Sequence, residues 1–419
     1  MNQTQAIFLT LLREAIHGQA PVDPVLSPAQ WEDVFHLAEA HGLLPMILDH
    51  AGGLSSCCSG FTRKTAEAGA PEPPLLRWQE RAIQQVTNQI IRENVFLNLI
   101  LRLRAEGVEP LVMKGPVCRA LYPKPWLRPS VDDDFLVPET SMARCHAVLK
   151  ELGFSPCRDE AELESQWEIS YLKHEASQYV ELHKYLFDPD APFFSDFNQA
   201  FERAWDCSDS IMIQDVPIQS FAPADHLLFL ILHAFKHFLF SGFGIRIVAD
   251  ICLFTEHYEE QIDFTVLEQS CRALRCSSFA AAVYQIGARE LGIPAPEPFS
   301  GIQVDLEPLF EDVLASGVHG GKFERLHSAN ITLGTLEANL AGKKSGVRLG
   351  RALFPSADAL AAGYPFVKKH PILLPVAWTR RVVSYLFAAR KHGMNRPVSE
   401  PIKLGRERVK LLKTYGVIS

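Results

Sequence analysis

Over the first fifty positions apolar residues recur at three- and four-residue steps, the spacing that gives a helix one buried face. Ser27-Pro28 supplies an N-cap and a first-turn proline, and Trp31, Val34, Phe35 and Ala38 mark the inward side of the helix that follows. Residues 52–74 break the pattern. They are rich in Gly, Ser, Ala and Pro and read as a mobile loop. A long helix is expected over 75–106, with Val86, Ile90, Leu97, Ile100 and Leu103 as its stripe and Gly107 as its stop. The pattern then changes. A short apolar run at 110–113 meets Lys114-Gly115, a short helix over 117–122 and a proline-rich crossing at 123–129. Residues 132–137 read as a strand, 141–152 as a helix, 153–157 as the start of another strand and 179–185 as a further strand. From Pro223 the pattern is helical: one apolar helix to Phe240, a break at Gly242-Phe-Gly244, and a second helix over 245–257. The order predicts an α+β fold, a small mixed sheet flanked by helices with helical regions before and after it. Four segments are expected: 1–106 helical, 107–222 the α/β core, 223–360 helical, and 361–419 a basic tail.

The chemistry concentrates in the acidic strand. Side chains two apart in a strand share a face, so Asp132 and Asp134 project together while Asp133 points the other way. Paired carboxylates persist most readily around a cation, and Mg²⁺ is suited to one or two carboxylates plus substrate phosphates. The bland alternative is a solvated strand end. On the strand at 179–185, Glu181 and His183 share one face and Val180 and Leu182 the other, which makes Glu181 the third carboxylate of a two-metal site. Lys114 and Gly115 stand where a helix begins and backbone N–H groups favour anions, although simple turn chemistry explains the same dipeptide. Arg128 either clamps a triphosphate or holds the two aspartates. His233 and His237, four apart on an apolar helix, lack the third ligand of a zinc site; they serve either as satisfied core histidines or as phosphate contacts beside His183. Arg246 and Asp250, also four apart, are expected to pair along their helix.

Composition narrows the class. Apolar residues at 47% and charged residues at 21% are ordinary for a soluble globular chain of 419 residues. The net charge of −8 hides an asymmetry: from Lys368 onward twelve basic residues oppose two acidic ones, so that segment is +10 and the remainder −18. Such a tail suits an anionic partner or the chain's own acidic body. Nine cysteines, an odd number without Cys-x-x-Cys spacing, favour reduced thiols and a cytoplasmic location. The most apolar stretch, 227–249, is interrupted by His233, Lys236, His237 and Arg246, so no transmembrane segment is expected.

Taken together, Leu111-Val-Met-Lys114-Gly115, Leu121-Tyr122-Pro123, Arg128-Pro129 with Asp132-x-Asp134, Glu181-Leu-His183 and Pro223-Ala-Asp225-His-Leu-Leu resemble the uncharacterised nucleotidyltransferases. These are a bacterial branch of the DNA polymerase β-like superfamily. His233, His237 and the Arg246…Asp250 helix complete the likeness, which spans roughly residues 27–260. The resemblance implies a nucleotidyltransferase fold, with the paired aspartates on Asp132 and Asp134 and the later carboxylate on Glu181. It implies transfer of a nucleoside monophosphate from an NTP to an acceptor hydroxyl, with pyrophosphate leaving and Mg²⁺, or Mn²⁺ in its place, as cofactor. Lys114-Gly115-Pro116 stands where the wider superfamily has Gly-Ser, so Lys114 is expected to replace the serine hydroxyl. Lys114, Gly115 and Arg128 are then the phosphate contacts, with His183 and His237 in support. A small-molecule or peptide acceptor is expected ahead of RNA, because no basic patch is interleaved with aromatic residues. The alternative is a catalytically degenerate, nucleotide-binding regulator that docks a partner through its basic tail.

Overall fold

The computed structural model describes residues 1–20, 26–53, 74–191, 193–317, 336, 364, 366–380 and 399–418. The chain divides into two compact units, one of residues 1–234 with 244–318, the other of 235–243 with 319–419. The expected mobile loop lies almost wholly outside the described residues, as does much of the basic tail.

In the first unit, α1 (Gln3–Ile16) and α2 (Pro28–Ala40) each begin with a capping box, Asn2 with Gln5 and Ser27 with Gln30. They lead through α3 (Leu44–His50) to the 32-residue α4 (Pro74–Ala105). A seven-stranded mixed sheet follows: β1 (Leu111–Met113), β2 (Asp132–Leu136), β3 (Ser155–Pro156), β4 (Glu168–Lys173), β5 (Gln178–His183), β6 (Asp209–Ile213) and β7 (Val216–Ser220). Its order is β3-β4-β5-β2-β1-β7-β6. β2 runs antiparallel to β1 and parallel to β5, and the register sets Asp134 beside both Met113 and Glu181. One face of β2 presents Asp133 and Phe135. Phe135 stacks on Phe96 of α4, with ring centroids 5.8 Å apart. The other face presents Asp132 and Asp134, and α5 (Gly115–Ala120), α8 (Pro223–Phe240) and α9 (Ile245–His257) supply the remaining side chains around them.

Four strands follow the sequence pattern to within two residues at each end, or in the case of residues 153–157 by overlap. β4, β6 and β7 were not legible. β6 and β7 form a hairpin whose two-residue turn, Gln214-Asp215, has positive φ at both positions (45° and 63°) without the Asn-Gly signal such turns usually carry. The stripe on α4 also differs from expectation. Ile90 is 49% exposed, while Gln89 and Arg92 are buried on the face that meets the sheet. Gln89 accepts from the Ser130 N–H (2.8 Å), and Arg92 donates to the carbonyls of Ser130 and Ala176 (both 3.2 Å). Polar burial there holds the entrance to β2, and apolar periodicity cannot signal it.

In the second unit Arg408, on the helix Ser399–Thr414, lies over the Phe238 ring, and Tyr415 packs edge-on against the same ring at 5.7 Å. At least this residue of the basic tail is anchored to an aromatic face.

Candidate functional site

β1 delivers the chain into the site through a strained residue. Lys114 has φ 49° and ψ −108°, a conformation that costs a non-glycine residue about 1–3 kcal/mol. A buried relay holds it there. Ser220 Oγ donates to the Val112 carbonyl (2.8 Å), so its remaining role toward His226 Nδ1 (3.0 Å) is to accept. His226 Nε2 is then free to accept the Lys114 N–H (3.3 Å). Burial pulls the pKa of His226 down to about 3, which keeps the imidazole in this neutral form. Gly115 follows because nothing larger fits comfortably: a Cβ there would stand 3.0 Å from the Asp132 carbonyl oxygen and 3.4 Å from Ser130 Oγ.

The start of β2 is pinned from several sides. Besides Gln89 and Arg92, Arg119 donates to Ser130 Oγ (2.7 Å). Asp133, turned toward the α4 side, accepts from Gln178 and is buried. Burial pushes its pKa up to about 7 against the opposing pull of Arg119 and the Gln178 hydrogen bond.

On the opposite face, Asp134, Glu181 and His183 each offer a ligand atom within 4.8 Å of the others. Asp134 Oδ1 accepts from Lys114 Nζ (2.9 Å) and from His183 Nε2 (3.2 Å), and Glu181 Oε2 lies 3.9 Å from the same imidazole nitrogen. Lys114 Nζ also donates to His233 Nε2 (3.1 Å). Burial raises the pKa of Asp134, but Lys114 and His183 outweigh it and hold the group well below the usual carboxylate range. Glu181 shows the converse: burial, then the charge of Asp134, push it up to about 8. For Lys114, burial is overcome by Asp134, Asp132 and Glu181, which raise its pKa. Crowded carboxylates, one of them driven toward its protonated form, are a donor set that a divalent cation fits and relieves.

A cleft of about 70 Å³, open to solvent, is lined by Lys114, Gly115, Arg128, Ser130, Asp132 and Asp134 from the core, and by Leu230, His233, Arg246 and Asp250 from the helices. Arg128 resolves the two roles that the sequence left open. It holds neither Asp132 nor Asp134; its Nε (2.8 Å) and Nη2 donate to the two oxygens of Asp250, which also accepts from Tyr122 Oη (2.8 Å). Asp250 therefore pairs with Arg128 and not along its own helix with Arg246, whose Nη1 instead donates to the Pro129 carbonyl (2.8 Å). His183 stands beside Asp134 and Glu181, and His233 meets Lys114. His237 lies one turn further along α8, in the segment that belongs to the second unit.

The sequence profile described as uncharacterised nucleotidyltransferase matches residues 27–289, more than half of the chain. The chain belongs to that family. No curated protein and no solved structure matches it. The matched span of this nucleotidyltransferase-family chain holds the whole cleft, from Lys114 to Ile251. Sequence reasoning named Lys114, Gly115, Arg128, Asp132, Asp134 and Glu181, and all six lie at the cleft or in the acid cluster. Tyr122 and His226 stood in the motifs with no role assigned, and Asp250 was expected to pair with Arg246 instead of Arg128. The available signal was a set of polar residues inside two otherwise apolar helices, α8 and α9. Among the described residues, no helix is long and apolar enough to cross a membrane.

Proposed function

We propose that this chain moves a nucleoside monophosphate from an NTP to an acceptor hydroxyl, releases pyrophosphate, and does so with Mg²⁺ or, in its place, Mn²⁺. One observation carries the reading: Asp134, Glu181 and His183 converge within 4.8 Å beside a cleft that also presents Asp132, Lys114 and Arg128. Asp132, Asp134 and Glu181 would hold the cation, with the His183 imidazole as an added nitrogen donor. When bound, the ion supplies charge neutralisation at the phosphates and acidifies the attacking hydroxyl. The chain's own groups do the rest. The Lys114 ammonium meets phosphate charge, and Gly115 leaves the backbone open to close approach. Arg128, fixed by Asp250, orients the substrate before it reacts. Glu181, in the same cluster, would assist removal of the acceptor's proton.

A small-molecule or peptide hydroxyl is the acceptor this reading favours over RNA. The seven described cysteines are all free, which supports a reducing, cytoplasmic setting. The test is incubation of the full chain with each α-labelled NTP, Mg²⁺ and a cell extract, alongside Asp134→Asn. Label should move to an acceptor with the native chain, and transfer should fall at least a thousandfold in the variant. Full transfer by Asp134→Asn ends this reading. NTP binding without turnover on any acceptor returns the chain to the regulatory alternative.

A further inference from the structure

Two guanidinium groups on the cleft are incompletely satisfied. Arg128 is only 4% exposed; Asp250 takes its Nε and Nη2, and its Nη1 is buried without a hydrogen-bond partner. Arg246 gives Nη1 to the Pro129 carbonyl, and its Nε is likewise buried and unpartnered. Both side chains line the same cleft. The Asp250 and Tyr122 oxygens beside them are already committed. Asp250 accepts two bonds from Arg128 and one from Tyr122, whose phenol hydrogen is spent on it.

The charge is as unbalanced as the hydrogen bonding. Asp250 is the only carboxylate of the cleft bonded to either guanidinium, and burial followed by the Arg128 charge lowers the pKa of Arg246 against the opposing pull of Asp250 and Asp132. A buried donor on a charged group without an acceptor is costly to keep. Two of them, held by Asp250 and by a backbone carbonyl before any ligand arrives, form a preorganised anion site. Guanidinium donors match the several acceptor oxygens of a phosphate better than they match a lone halide or a neutral sugar.

We propose that Arg128 and Arg246 together form the seat of the β,γ-diphosphate of the NTP, the part that leaves as pyrophosphate. This rests on the nucleotidyl-transfer reading and adds Arg246 to it. The reacting α-phosphate belongs at the carboxylates that would hold the cation; the guanidiniums are tied to Asp250 and not to Asp132 or Asp134, so they serve the phosphates that do not react. Because the seat is built from protein donors alone, it binds its ligand without a divalent ion.

The experiment is calorimetric titration of the full chain with inorganic tripolyphosphate and with pyrophosphate in the presence of EDTA. Arg246→Gln is the informative variant, since it breaks only the bond to the Pro129 carbonyl and leaves the Arg128–Asp250 pair intact. Circular dichroism and a urea midpoint check its fold. The native chain should bind tripolyphosphate, and Arg246→Gln should weaken that binding at least tenfold, with Arg246→Lys falling between the two. Equal affinity in Arg246→Gln, or no metal-free binding by the native chain, overturns the proposal. Transfer of α-label with Mg²⁺, measured on the same preparations, separates the two claims. Transfer by a native chain that binds no tripolyphosphate leaves the reaction standing and removes the seat. Tenfold loss of tripolyphosphate binding in a chain that transfers nothing keeps the seat as an anion site and removes the reaction.

Discussion

Replacing His226 with glutamine tests the relay that holds Lys114, and its effect can be worked out in advance. In the folded chain burial keeps the imidazole neutral down to about pH 3, whereas an unfolded histidine takes up its proton near 6.5. Between those values the unfolded state binds more protons, so stability falls as pH falls through the window. At pH 5 the gap below the unfolded pKa is about 1.5 units, and at about 1.4 kcal/mol per unit His226 alone removes roughly 2 kcal/mol relative to pH 7.5. His226→Gln deletes this term. It also exchanges a well-placed acceptor for the Lys114 N–H for a more flexible one, at a cost of about 1–3 kcal/mol at pH 7.5. Urea unfolding of both proteins at the two pH values gives the comparison. The native chain should lose about 2 kcal/mol more than the variant between pH 7.5 and pH 5, on the linkage relation. His41, which burial pulls down to about 4, titrates in both proteins and cancels. An unchanged pH slope in the variant would show that His226 is not neutral in the folded state and would refute the relay.

Gly115→Ala places a methyl group 3.0 Å from the Asp132 carbonyl and should push the start of β2 aside; displacement of catalytic groups by ~1 Å lowers transfer about a hundredfold, read as kcat with little loss of thermal stability. Asp250→Ala leaves the buried Arg128 charge uncompensated and should cost about 3–5 kcal/mol by urea unfolding, while Arg128→Met with Asp250→Leu recovers most of it; a single variant as stable as the native chain rejects the buried pair.

The acid strand was legible because a strand repeats every two residues: once 132–136 is extended, Asp132 and Asp134 must share a face, and the same rule carried Glu181 and His183. Apolar periodicity likewise located α8 and α9 to the residue. What it could not supply was pairing across long separations. Arg128 and Asp250 are 122 positions apart, and a local i, i+4 rule assigned Asp250 to Arg246 because that neighbour was visible and the distant one was not. His226 was given no role for a similar reason: its partners, Ser220 on a strand the pattern did not reveal and the backbone of Lys114, exist only in the folded sheet. On α4, Leu97, Ile100 and Leu103 are buried as expected, but Ile90 is exposed and Gln89 and Arg92 take the inward face, where they hydrogen-bond the Ser130 backbone.

The Lys114 ammonium rests on Asp134, with His233 as its other neighbour. It is a built-in counterion, and any incoming ion competes with it for the same oxygen. On the proposed reaction, a metal entering the bare protein would cost that side chain its charge partner, and an incoming polyphosphate would give it another. The two arrivals would then reinforce each other, and the idle molecule would be spared a permanently loaded, indiscriminate centre.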